Sequence, residues 1–410
     1  MNADEDVRRP AWLLGELIDA ARSPSRFHEQ KRERLLVETA KFVVTVAPER
    51  VEQFARSNGR DSLVVTMAAR LAVTDPARSE RLLSGIGKLW DRWTLVAMAE
   101  LAVAVAPSDP RRARKLLTEA ESRARQSASD ETLEALPEMA TVVAPSDPRR
   151  AAGLIKSAVA AAKEKKHRGV AHAALAAMKF DLRLAERIAA TLGPRQRLHV
   201  LGDLARTAAS TDPDHAVEIA RSFEDPAELS PLLADIAAKM ATRTGQLADS
   251  LIAEADAQAA RIMDGSKYET AMTSLIRAIA TRDPGQAVDR AKAIAKDTGS
   301  PWPMTVAAGA VAAAQPERAE RIAMSIEDDL HRNAALAAAA EAMAVVDPER
   351  AERLCQSISD TYFAYQEALA RTAIAMARAD LDRAEELALS VTHPHHRADA
   401  LLEVLKVLTG

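Results

Sequence analysis

The sequence predicts an all-α fold, a right-handed α-solenoid of about eleven helix–turn–helix repeats of about 33 residues each. Three observations predict it. The string AQPERAERIAMSIED at 314–328 returns 32 residues later as VDPERAERLCQSISD at 346–360, and APSDPRRA occurs at both 106–113 and 144–151. A column of hinge residues runs through Pro48, Pro76, Pro110, Pro148, Leu182, Pro213, Gly245, Pro284, Pro316, Pro348 and Leu381. Three positions after the hinge stands Ala in nine of the eleven copies, Ala113 through Ala384, with Val51 and Ser79 as the exceptions. A small residue held at one place on a helix marks a close crossing by another helix.

The unit is clearest from Arg332 to Asp360. Asp347 is suited to cap a helix, accepting from exposed backbone N–H groups, and Pro348 fits the first helical position, where its missing N–H has no partner to lose. Ala351, Leu354, Cys355 and Ile358 then fall at i, i+3, i+4 and i+7, the apolar stripe of a short second helix. Before the hinge, Leu336, Ala340, Met343 and Val346 make the stripe of a first helix, with Arg332 and Glu341 among its polar positions. Two such helices bury too little surface alone, so each unit needs a neighbour.

In chain order, residues 1–9 are polar, and Pro10 to Arg22 reads as an amphipathic helix with Trp12, Leu13, Leu17, Ile18 and Ala21 near one side. Residues 1–28 are therefore expected to be a tail and N-terminal capping helix. Repeats fill 29–392, starting with a helix at about 29–46 and the hinge at Pro48. Two spacings are long: 38 residues from Pro110 to Pro148, and 39 from Gly245 to Pro284. In the latter the second helix is expected to gain one or two turns before Asp264-Gly265 ends it. Such extensions either carry binding function or are neutral insertions. After His393-Pro394 breaks the chain, 393–410 reads as a C-terminal helix, either a cap or an unpaired end. The chain is expected to be a monomer, or a weak homodimer through that helix.

A two-helix unit near 34 residues, with Ala at the crossing point of its second helix, resembles the tetratricopeptide class of α-solenoid over roughly 30–410. The first-helix Trp, Gly and Tyr of that class are absent, so HEAT-like packing is the other geometry the pattern admits. The resemblance implies a scaffold that binds other macromolecules along an extended groove.

Composition narrows the function. Net charge is −4 with a pI near 6.2, which gives no global attraction to nucleic acid or anionic membrane. A single cysteine, Cys355, precludes an intramolecular disulfide and fits a reducing, cytoplasmic setting. The start MNADEDVRRP lacks signal-peptide order, and no apolar run reaches membrane-spanning length. Gly85-Ile86-Gly87-Lys88 lacks the upstream Gly and following Ser or Thr of a phosphate loop. The expected function is therefore non-catalytic, without cofactor or metal: an adaptor for a protein or peptide partner.

The scarce aromatics are the first candidate contacts. Trp93, Trp302 and Tyr365 fall 17 or 18 residues after their hinges, with Trp90, Tyr362 and Phe363 beside them. They would serve as partner anchors or as plugs between adjacent units. The segment 111–168 carries thirteen Lys and Arg against eight acids. Arg111, Arg112, Arg149, Arg150, Lys165 and Lys166 are the candidates there for the alternative function, nucleic-acid binding, against the reading of a solvated charged face. His393, His395 and His396 cluster at a turn without nearby Cys, which reads as a polar turn and not a metal site. Cys355 reads as a small buried apolar residue.

Overall fold

A computed structural model of the chain describes residues 44, 49, 52, 61–85, 92–126, 134–164, 169–241, 245–358 and 362–409. The expected helices at 10–22 and 29–46 and the hinge at Pro48 lie outside these residues. Among the described residues there are 21 helices and no strand.

The chain divides into two compact units, with the division at Leu204/Ala205. The first unit holds α1 (Asp61–Thr74), α2 (Pro76–Gly85), α3 (Arg92–Val105), α4 (Pro110–Gln126), α5 (Ala135–Val143), α6 (Pro148–Glu164), α7 (Gly169–Ala177) and α8 (Leu182–Ala189). Helix α9 (Pro194–Ala208) carries the division. The second unit holds α10 (Pro213–Arg221), α11 (Pro226–Met240), α12 (Gly245–Ala259), α13 (Gly265–Arg282), α14 (Pro284–Thr298), α15 (Trp302–Val311) and α16 (Pro316–Met324). It continues through α17 (Asp329–Met343), α18 (Pro348–Gln356), α19 (Tyr362–Met376), α20 (Leu381–Ser390) and α21 (Pro394–Thr409).

All ten described hinge residues, Pro76 through Leu381, are the first residue of an even-numbered helix. The local chemistry explains why. Asp181, Asp212, Asp283, Asp347 and Asp380 each accept from the backbone N–H three residues on, at the end where helical donors have no intrahelical partner. Asp75, Asp109 and Asp147 make the same bond. Where Pro is absent, at Leu182 and Leu381, the Asp cap alone marks the start. At Gly245 a Cβ would lie 2.9 Å from the guanidinium nitrogens of Arg282, which grips Asp249 through two bonds of 3.0 Å, so that guanidinium would have to shift to admit a side chain.

Within each unit the odd-numbered helices form a row. In the first, α1 packs on α3, α3 on α5 and α5 on α7; in the second the row runs α11, α13, α15, α17, α19. Even-numbered helices pack against the odd helices that flank them. The odd row is the apolar core, with Leu95, Leu101, Leu136, Met139, Leu232, Ile236, Leu275, Leu336 and Met343 almost wholly buried. Alanine and glycine let its backbones approach, and a Cβ on Gly309 of α15 would meet the Ala338 Cβ of α17 at 2.9 Å. The hinge+3 alanines, Ala151 through Ala384, are fully buried and Ala113 nearly so. The exception at Ser79 is fully buried too, and its hydroxyl donates to the Ala68 carbonyl at 2.5 Å.

Two details differ from expectation. Val346 is 60% exposed, because α17 stops at Met343 and the chain has already turned towards the Asp347 cap. Asp264-Gly265 starts a helix and does not end one: α12 stops at Ala259, and Asp264 caps α13 by accepting from the Lys267 N–H. The terminal helix α21 has no exposed residue among those described, and Leu401, Val404 and Leu405 are fully buried, so it is not an open apolar end.

Candidate partner-binding surfaces

Three buried polar side chains of the first helices are bonded internally. Ser230 donates to the Ala255 carbonyl, Gln366 accepts from the backbone N–H of Thr392 and His393, and Thr372 meets the Cys355 sulfur at 3.3 Å. These groups tie first helices to what packs on them. Burial pushes the Cys355 thiol up to about 11, so it stays protonated and unreactive at neutral pH.

The second helices present a different surface. Successive ones are bridged by arginines at hinge+2: Arg78 reaches Glu49 and Glu52, Arg112 pairs with Glu80, and Arg150 with Glu121 at 2.6 Å. In the second unit Arg350 reaches Glu317 and Glu320, and Arg383 reaches Glu349 and Glu352. The Arg350 guanidinium holds the Glu317 carboxyl below its ordinary range. The ladder was visible in the recurring PERAER, whose Glu, Arg and Glu stand at hinge+1, +2 and +4. Reading it as pairing required knowing that second helices stand side by side.

Two pairs of second helices are longer than the rest. In α4 the acid moves to hinge+11, where Glu121 accepts from Arg150 of α6 and from the Ser157 hydroxyl at 2.8 Å and also pairs with Arg125. In α12 the same position holds Asp256, which pairs with Arg290 of α14.

With Arg112 and Arg150 used in the ladder, and Arg123 and Arg125 paired with Glu119 and Glu121, six cations of α4 and α6 remain exposed. Arg149, Lys156 and Lys163 recur every seven residues, two helical turns, and all are exposed. Arg111, Arg114 and Lys115 are exposed on α4. Among the described residues none of these six is paired with a carboxylate. Arg111, Arg114 and Lys115, with Thr118, Ser122 and Gln126, line a shallow concavity of about 680 Å³ along α4, whose Glu119 is already paired with Arg123. Lys165 and Lys166 lie outside the described residues. A second shallow concavity, about 550 Å³, borders the start of α12 at Gly245, Gln246, Leu247 and Ser250.

The aromatics do not converge. Trp93 is 41% exposed at the start of α3, with the Arg92 guanidinium 5.5 Å from its ring centre. Arg92 also binds Glu134 at 2.7 Å and Glu138 at 2.9 Å, joining the starts of α3 and α5. Trp302 opens α15 half-buried, and Tyr365 is half-buried on α19. Tyr362 opens α19, but its side chain, like Trp90, lies outside what is described. The rings of His393, His395 and His396 lie against one another, with centroids 5.6 and 4.6 Å apart from that of His393. Among the described residues no group of three or more His, Cys, Asp or Glu could hold a metal ion, and no helix is long and apolar enough to cross a membrane.

No protein-family model matches the chain, and no curated protein matches it. Among solved structures it is similar to a circular tandem repeat protein with novel repeat topology and enhanced subunit contact surfaces. Identity is 14% over 99% of this chain and 97% of that one, with a TM-score of 0.18. A superposition of that quality carries no argument. The repeat character rests on the chain's own helix spacing and packing.

Proposed function

We propose that the chain is a cytoplasmic, non-catalytic scaffold or adaptor, a right-handed tetratricopeptide-like solenoid of about eleven units that binds a peptide or protein partner along its stacked repeats. The observation that carries this reading is the division of labour between the two helix rows. First helices form a buried row, while second helices flank that row and several of them stand side by side, joined by arginine–carboxylate pairs. A surface pre-shaped in this way binds through many modest contacts and loses little conformational entropy on its own side. The buried Cys355 suits a reducing compartment. A dimer through α21 would require uncovering its buried residues, which favours the monomer.

Nucleic-acid binding is the second reading. The exposed Arg111 and Arg149 support it, and the commitment of Arg112 and Arg150 to Glu80 and Glu121 weakens it. Affinity capture with the full-length chain, with and without nuclease and at two salt concentrations, separates the two. A stoichiometric protein that survives nuclease is the expected result. Nucleic acid that is enriched and lost with salt would overturn the scaffold reading in favour of the second.

A further inference from the structure

We propose that the outward face of α4 and α6 docks an acidic peptide segment, about six to eight residues long and rich in Asp or Glu; this assignment rests on the scaffold reading. Elsewhere the hinge+2 arginines Arg350 and Arg383 meet carboxylates of the preceding second helix, Arg78 meets Glu52, and Arg318 bonds Gln315. On α4 and α6 that register is also filled, yet six further cations remain beyond it without a carboxylate of the described chain. The excess is local, because the whole chain carries −4.

Geometry sets the length of the occupant. From Arg149 to Lys163 is fourteen residues of helix, about 21 Å, which matches six or seven residues of extended chain at about 3.3 Å each. The concavity beside Arg111, Arg114 and Lys115 adds the neutral groups Thr118, Ser122 and Gln126, which can donate to carboxylates or to a peptide backbone. Chemistry sets its class. Neither helix carries an aromatic residue on which a base could stack. A nucleic-acid polymer running past the patch would meet an otherwise acidic chain, whereas a short acidic segment ends where the cations do.

The test titrates a fluorescent octaglutamate peptide into the full-length chain by anisotropy. A same-length polyglutamine peptide and a single-stranded oligonucleotide are run alongside. Two triple variants, R111Q/R114Q/K115Q and R149Q/K156Q/K163Q, are compared with the control Lys292→Gln on α14. All six residues are exposed, so circular dichroism is expected to stay unchanged and to certify each variant as folded. Octaglutamate is expected to bind, polyglutamine not, and each triple variant to weaken binding by about tenfold while the control does not. Raising salt from about 0.05 M to about 0.3 M is expected to weaken it further.

Absence of octaglutamate binding, equal binding by the variants, or tighter binding of the oligonucleotide at the same residues would each overturn the proposal. A captured protein partner that stays bound to both triple variants would also overturn it, while leaving the scaffold reading intact. Octaglutamate binding lost in the variants, with no protein ever captured, would uphold the charge recognition and remove the scaffold reading beneath it.

Discussion

The two lengthened pairs of second helices, α4 with α6 and α12 with α14, depart from the repeat in the same way and end with opposite surfaces. Both add turns to the usual eight to ten residues, and both place an acid at hinge+11 to grip the next second helix, Glu121 in one and Asp256 in the other. Yet α4 and α6 together carry ten Lys and Arg against three acids, while α12 and α14 carry three against five. Length and internal bridging are thus separable from outward charge. The shared features answer to packing, and the charge that differs has no packing role to explain it.

Four measurements probe that contrast. The largest effect tests the shared part: Leu154→Ala on α6 and Leu251→Ala on α12 remove fully buried side chains at the same hinge+6 position. Each is expected to cost about 2–5 kcal/mol in denaturant unfolding, with no systematic difference between the pairs. A large inequality would mean that charge and core are not independent.

Next come the bridges. Glu121→Ala removes the acceptor for Arg150, Arg125 and Ser157 at a side chain only 15% exposed, and is expected to cost about 1–2 kcal/mol. Asp256→Ala removes one half-exposed pair and is expected to cost under about 1 kcal/mol. The same unfolding assay ranks them, and a reversed order would break the assignment of Glu121 as the stronger bridge.

The short second helices offer a gain. Gln315 holds nearly the same backbone angles as the capping Asp347 but makes no side-chain cap. Gln315→Asp is expected to stabilise by about 0.5–1 kcal/mol, read as a raised unfolding midpoint.

The smallest effect depends on pH. The Glu317 carboxyl is held below the ordinary value of 4.5, mainly by its bond to Arg350. A depressed folded-state value means its contribution is present above 4.5 and is lost as pH falls through the folded value. The stability difference between the parent and Glu317→Gln is therefore expected at neutral pH and to vanish on acidification. A difference that persisted in acid would assign the effect to something other than the ion pair.

Much of this was legible in the sequence for a physical reason. Hinges are local chemistry: all ten described hinges start a helix, and at eight of them, including both Leu substitutes, a capping Asp stands just before the hinge residue. The Ala column reads equally well, because tight crossings admit little else. Local signals also mislead where two chemistries share a residue type. Asp264-Gly265 suits both the end of one helix and the start of the next, and Val346 continues the apolar period past the point where α17 has stopped. The arginine ladder was not legible as contacts, since its partners lie about 33 residues apart and meet only once the helices stand side by side. Nor could sequence sort the basic segment. Arg111 and Arg112 are neighbours in the chain, and only their angle on α4 sends one to solvent and the other to Glu80.

Within each unit, helices pack on neighbours one or two places away in the chain. The molecule is thus a sequence of short-range couplings, and a change to one link is felt only by the links beside it. That locality lets α4 and α6 grow by two turns and change sign while the seam of first helices keeps its repeat. It also makes the number of links, the length of a link and the charge of a link three independent variables, each adjustable by insertion or substitution in one unit without redesign of the others.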